Sequence, residues 1–226
     1  MRYEEVVRGA FLERPNRFVA RVEVEGQPVV CHVKNTGRCR ELLRPGAAVY
    51  LARAANPARK TAYDLVAVEK GALLINMDAQ APNQVFGEWA AAGKFLPGLT
   101  ALRPEFTWED SRFDFRLEDG AGAYFVEVKG VTLEEDGVCR FPDAPTARGV
   151  KHLRGLQRAV EQGLRAAVCF VVQMEGPACF RPNDRTDPAF GAALRAAARA
   201  GVGVFAYDCR VTPEELVLDR PLAVEL

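Results

Sequence analysis

Ser111–Val131 reads SRFDFRLEDGAGAYFVEVKGV, and the fold turns on how it is laid out. Its period-two alternation predicts strands at Arg112–Leu117 and Tyr124–Val131, with Asp119-Gly120-Ala121-Gly122 as the hairpin turn between them. On the first strand Phe113 and Phe115 are expected on one face, and Arg112, Asp114 and Arg116 on the other. On the second, Phe125, Glu127 and Lys129 share a face, while Val126 and Val128 take the opposite one.

Paired through that turn, the strands bring Asp114 and Glu127 close together, with Lys129 two residues on. Two converging carboxylates repel each other, and a divalent cation relieves the repulsion. Carboxylate ligands with several retained waters suit Mg²⁺, or Mn²⁺, better than a soft metal. A lysine beside the ion can orient or activate a water, which completes a layout for metal-assisted phosphodiester hydrolysis. Glu-x-Lys also occurs on exposed strand faces as a simple ion pair, and the residues alone leave both readings open. Favouring the first, the strand around this pair is otherwise apolar, where charge needs a reason.

Downstream, Phe141-Pro142-Asp143-Ala144-Pro145-Thr146 forms a stiff loop. Thr146 can cap a helix over Arg148–Gln162 whose stripe is Leu153, Leu156, Val160 and Leu164. Arg148, Lys151 and His152 crowd its first turn against the helix dipole, as if an anion were expected there. Ala167–Gln173 is a continuous apolar strand of the kind buried on both faces. An alanine-rich helix at Asp187–Ala200 and an apolar strand at Gly203–Tyr207 follow. With a helix at Pro82–Gly93 before the hairpin, residues 81–226 read as an α/β domain with a mixed sheet covered by helices.

Upstream the texture differs. Alternation over Arg17–Val33 places Phe18, Ala20, Val22 and Val24 on one face and makes two strands about Gly26-Gln27-Pro28. Further short strands follow at Ala48–Arg53, Ala62–Glu69 and Ala72–Met77. Five short strands predict a small closed or nearly closed β-barrel over residues 1–80. At its tip, Asn35-Thr36-Gly37 turns the chain into one or two helical turns at Arg38–Leu43. Lys34, Asn35, Gly37 and Arg38 there form a candidate backbone-phosphate clamp, with Phe18 or Tyr50 as stacking surfaces.

Thirty basic and thirty acidic residues cancel over 226 residues, yet residues 1–60 hold 12 Lys/Arg against 6 Asp/Glu, leaving the remainder at −6. A basic segment joined to an acidic body fits a phosphate-binding module beside a metal-binding one. The longest apolar run, Ala166–Val172, falls far short of the roughly 20 residues of a membrane span. Nothing after Met1 resembles a signal peptide, and the six cysteines have no zinc spacing. The expectation is a cytoplasmic protein with reduced thiols and no membrane partner, neither disordered nor disulfide-built.

The acid on one strand and Glu127-x-Lys129 on the next resemble the restriction-endonuclease-like nuclease superfamily. Carried over, that resemblance implies Asp114, Glu127 and the Val128 carbonyl as metal ligands and Lys129 as the catalytic lysine. Phe113 stands where that superfamily often has proline. Asn35-Thr36-Gly37-Arg38, Ser111–Phe115, Glu127–Leu133 and Phe141–Leu153 together resemble the sugar fermentation stimulation protein family. That resemblance covers nearly the whole chain and implies an N-terminal OB-like barrel, a C-terminal nuclease-like domain and DNA binding. The expected DNA contacts are Lys34, Asn35, Gly37, Arg38, Arg112, Arg148, Lys151 and His152. Asp143 and Glu105 are candidates for an additional acid, and a homodimer is a further expectation. The expected function is a Mg²⁺-dependent nuclease of low sequence selectivity. The alternative is a non-catalytic DNA-binding regulator of sugar-metabolism genes on the same scaffold.

Overall fold

The computed structural model describes all 226 residues except Thr36, Arg38, Ala55 and Pro57. Five strands close into a barrel: β1 (Val6–Asn16), β2 (Val19–Val24), β3 (Gln27–Val33), β4 (Ala48–Arg53) and β5 (Tyr63–Lys70). Their order is β3-β2-β1-β4-β5, and a parallel β3–β5 pairing closes the ring, while β6 (Leu73–Asn76) extends β5. Alternate residues such as Ala20, Val22, Val49, Leu51 and Leu65 fill the interior, as a half-buried strand requires. Phe18 does not join them: it precedes β2 and is 50% exposed, with the Arg17 guanidinium over its ring.

The sequence reading missed β1. Two register shifts against β2, after Phe11 and after Glu13, break the period-two signal on which it depends. Gly9 lies where β1 crowds against β2, since a Cβ there would stand 2.5 Å from Val22 Cγ1 and 2.7 Å from the Glu23 carbonyl oxygen. The helical turns expected over Arg38–Leu43 reduce, among the described residues, to one hydrogen-bonded turn. Its anchor is the Cys39 carbonyl, which accepts the N–H groups of Leu42 and Leu43.

The second unit opens with α1 (Ala81–Ala91) and then builds β7 (Ala101–Trp108), β8 (Ser111–Asp119) and β9 (Gly122–Val131). A small hairpin, β10 (Leu133–Glu135) and β11 (Val138–Phe141), leads into α2 (Ala147–Glu161) and β12 (Arg165–Val172). β13 (Cys179–Pro182), α3 (Pro188–Arg199), β14 (Gly203–Val211), β15 (Leu216–Pro221) and β16 (Ala223–Val224) complete it. The main sheet runs β15-β14-β12-β9-β8-β7, with β9, β12 and β14 mutually parallel. β10, β11, β13 and β16 form a second, smaller sheet that the sequence did not announce. Nor did it announce β7, which carries Pro104 and is an edge strand, where a missing N–H is tolerated.

α1 buries Val85 and Phe86 on one face of the main sheet, against Phe115, Val126, Val128, Cys169 and Val171. α2 and α3 cover the other, where Leu153, Leu156 and Leu194 pack with Phe113, Phe125, Val168 and Phe170. β12 is therefore apolar on both sides, and its lack of alternation is explained. Thr146 caps α2 by accepting the Gly149 N–H at 3.0 Å, as expected. The first residues dock on this second unit: Tyr3 N–H reaches the Glu214 carbonyl, and Leu216 N–H that of Met1. All six cysteines are free and buried. No helix among the described residues is long and apolar enough to cross a membrane.

Candidate active site

Regular strand geometry breaks at Asp114. The β7–β8 ladder pairs Pro104 with Phe115 and Phe106 with Phe113 but leaves the position between unpaired, and the β8–β9 ladder begins only at Phe115↔Val126. Across from Asp114, Glu105 has a φ of 49°. The kink sends Phe113 into the cluster under α2 and Phe115 into the cluster under α1. The expectation that these two rings share a face is thus corrected. A local twist has broken the alternation, and it turns the Asp114 carboxylate back over β9, where Oδ2 accepts the Val128 N–H at 2.8 Å.

Glu127 lies on β9 and is only 2% exposed. Its Oε1 is held by the Lys129 ammonium and by His152 Nδ1 from α2, while its Oε2 is buried with no hydrogen-bond partner. Burial pushes the Glu127 carboxyl upward, but the His152 hydrogen bond and the Lys129 charge outweigh it and hold the group below its ordinary value. Asp114 goes the other way. Burial first, and then the charge of Glu127, raise its carboxyl above the ordinary value despite the donors on it. A carboxylate whose charge raises its neighbour's carboxyl, and whose own second oxygen is buried and unsatisfied, forms with that neighbour an incomplete electrostatic unit.

That unit fits a hard divalent cation. Among the described residues no group of three His, Cys, Asp or Glu side chains is placed to hold a metal. The side-chain donors on offer are two carboxylates, a sparse oxygen set of the sort Mg²⁺ accepts because it keeps much of its water.

The other expected residues have been placed as follows. His152 is 6% exposed and turns inward to Glu127, with its ring edge on Phe113. Its expected contact with DNA gives way to a contact with the acid. Arg148 and Lys151 remain on the exposed face of α2; Arg148 Nε lies 3.5 Å from His152 Nε2, and Lys151 pairs with Asp110 at 3.4 Å. Arg112 and Glu105 pair with each other in solvent, so the Glu105 carboxylate is directed at Arg112. Asp143 sits against the barrel tip, its Oδ2 2.6 Å from where a Cβ on Gly37 would stand.

At that tip Asn35 Oδ1 accepts the Gly37 N–H, and the carbonyls of both residues are tied to Arg14, which the sequence did not single out. Arg38 lies outside the described residues. Lys34 is 23% exposed and bridges two buried acids, Asp78 at 3.1 Å and Asp64 at 3.3 Å. Asn35 and Asp143 nevertheless line one cavity of about 120 Å³ with Gly130, Thr132, Arg140 and Gln173. Gly130 directly follows Lys129, so the tip of the barrel and the end of the acid-bearing strand face a common cleft. Asn83 of α1 is a further contact that sequence reasoning missed: its Nδ2 donates to Asp114 Oδ1 at 2.8 Å. An asparagine in a helical first turn carries no signal that could have marked it.

A closed five-strand barrel fused to a mixed sheet with paired acids at a kinked hairpin defines the class: an OB domain followed by a nuclease-like, restriction-endonuclease-type domain. Residues 12–77 match the SfsA N-terminal OB domain, and residues 80–215 the sugar fermentation stimulation protein RE domain. The chain belongs to the sugar fermentation stimulation protein family. It is 55% identical to a sugar fermentation stimulation protein homolog of Desulfitobacterium hafniense strain Y51, covering 100% of this chain and 99% of that one. A homolog from Ruminiclostridium cellulolyticum is 46% identical with both chains covered fully. The solved structure of Pyrococcus furiosus SfsA in complex with Ca²⁺ is similar with a TM-score of 0.90 at 28% identity, over 100% of this chain and 98% of that one.

Proposed function

We propose that this protein is a divalent-cation-dependent nuclease that hydrolyses DNA phosphodiester bonds with little sequence selectivity. The observation that carries the reading is the buried, unpartnered Oε2 of Glu127 beside an Asp114 whose carboxyl is raised by burial and by Glu127. Asp114, Glu127 and the Val128 carbonyl would hold Mg²⁺ or Mn²⁺. The Ca²⁺ of the Pyrococcus relative is likewise a hard, oxygen-seeking cation, and this supports the reading. A cation bound there supplies Lewis-acid polarisation of a phosphate oxygen and neutralises charge that the acids alone would repel.

The chain's own groups have distinct tasks. Lys129, fixed by Glu127, presents an ammonium that can orient a water and stabilise negative charge developing on phosphorus. His152, from α2, meets the same Glu127 oxygen and helps to keep the group ionised and in place. Arg148 and Lys151, exposed on α2 next to His152, offer charge to the phosphates flanking the scissile one. None of these contacts reads a base edge, hence the low selectivity.

The deciding experiment is incubation of labelled single- and double-stranded DNA with Mg²⁺, Mn²⁺ or EDTA. Cutting with either metal and none in EDTA is the expected result. Binding without cutting on every substrate overturns it in favour of a regulator on a nuclease scaffold. In the same preparation, Arg148→Ala with Lys151→Ala should weaken binding to all sequences about equally. The slope of log K against log salt should become shallower by about 2. A loss confined to particular sequences would remove these residues from a backbone-contact role.

A further inference from the structure

The two carboxylates of the site are held in different ways. Glu127 is clamped at one oxygen by two groups that can carry positive charge, Lys129 and His152, and its other oxygen is left open. Asp114 has a neutral donor on each oxygen: the Val128 N–H at 2.8 Å on Oδ2 and Asn83 Nδ2 at 2.8 Å on Oδ1. Each carboxylate oxygen has two acceptor sites, so both of Asp114's oxygens remain available to a cation. An ammonium in place of Asn83 would compete with the cation for the same charge, whereas an amide aligns the carboxylate and leaves its charge in place.

Asn83 reaches this position on a rigid support. Val85, Phe86 and Ala90 of α1 are buried, and the Phe86 ring lies 5.1 Å from that of Phe115, the residue after Asp114. Pro82 closes on β9 so tightly that a Cβ on Gly130 would stand 2.6 Å from its Cγ. α1 is thus pinned on both sides of the donor, against the strand of each acid. We propose that Asn83 is a positioning residue for the cation site, holding the Asp114 carboxylate in the orientation that binds the metal. This rests on the cation reading proposed for Asp114 and Glu127.

Calorimetric titration of Mn²⁺ into the full-length chain tests it, comparing wild type with Asn83→Leu and Asn83→Ser. Leucine keeps the volume without a donor, and the serine hydroxyl is too short to reach Asp114. Both variants should bind Mn²⁺ about 10-fold or more weakly, the usual effect of losing a hydrogen bond to a metal ligand. Their DNA affinity in EDTA and their metal-free melting temperature should stay close to wild type, which a role in helix packing alone would not predict. Wild-type Mn²⁺ affinity in either variant overturns the assignment of Asn83. If wild type itself fails to bind Mn²⁺, the cation reading falls and the role of Asn83 with it, a result distinct from the previous one.

Discussion

Asp114→Asn and Glu127→Gln should each lower metal-dependent DNA cleavage by at least about 10³-fold, close to 4 kcal/mol of transition-state stabilisation. In the proposed site each substitution removes one of the two carboxylates that would hold the cation, and a backbone carbonyl cannot replace a charge. A second readout separates this from loss of folding. A cation that binds only the folded state raises its stability by mass action, so the wild-type melting temperature should climb with Mg²⁺ or Mn²⁺. In Glu127→Gln the climb should vanish. The amide is of similar size and can still accept from Lys129 at the clamped position, so the chain should remain folded. Cleavage that survives both substitutions would show that another protein in the preparation is cutting. An undiminished thermal response in Glu127→Gln would return the Glu127–Lys129 contact to a plain ion pair.

Lys34→Ala should destabilise the fold by about 3 kcal/mol, the low end for breaking a buried ion pair. Its ammonium lies between Asp78, 2% exposed, and Asp64, 5% exposed. These acids keep some support after truncation: Arg59 on Asp64, and Tyr3 and the Gln80 N–H on Asp78. The same network extends to Asn76 and Gln173, so Lys34 helps to seal the barrel to the second unit. The pH dependence has a defined sign. Burial pushes the Asp64 carboxyl up, but the Arg59 hydrogen bond and the Lys34 charge outweigh it, and the group sits below its ordinary value. A carboxyl depressed in the folded state contributes stability that is present above its unfolded pKa, about 3.9. That contribution is lost as pH falls through the folded value. The gap between variant and wild type should therefore be full near neutrality and close in acid, as chemical denaturation across pH will show. A loss under about 1 kcal/mol with uniformly weaker DNA binding would instead make Lys34 a phosphate contact.

Much of this was legible in the residues. The Asp119–Gly122 turn set the hairpin, the Thr146 cap set the start of α2, and the unbroken apolar run at Ala166–Val172 marked the doubly covered strand. Each rests on interactions a few residues apart, where period and turn chemistry are informative. β1 and β7 escaped because bulges and Pro104 erase that period.

The sequence by itself determined the barrel-then-α/β order, the acid and lysine positions, and the family. Only the tertiary structure decided what those side chains touch. It split Phe113 from Phe115, drew His152 in from 25 residues away to Glu127, placed Asn83 on Asp114 across 31 residues, and set Lys34 on Asp78 across 44. Local periodicity says which face a side chain takes, but not which distant group will meet it there. That choice is made by packing of the whole chain, which brings buried charges together because leaving them unpaired is so costly.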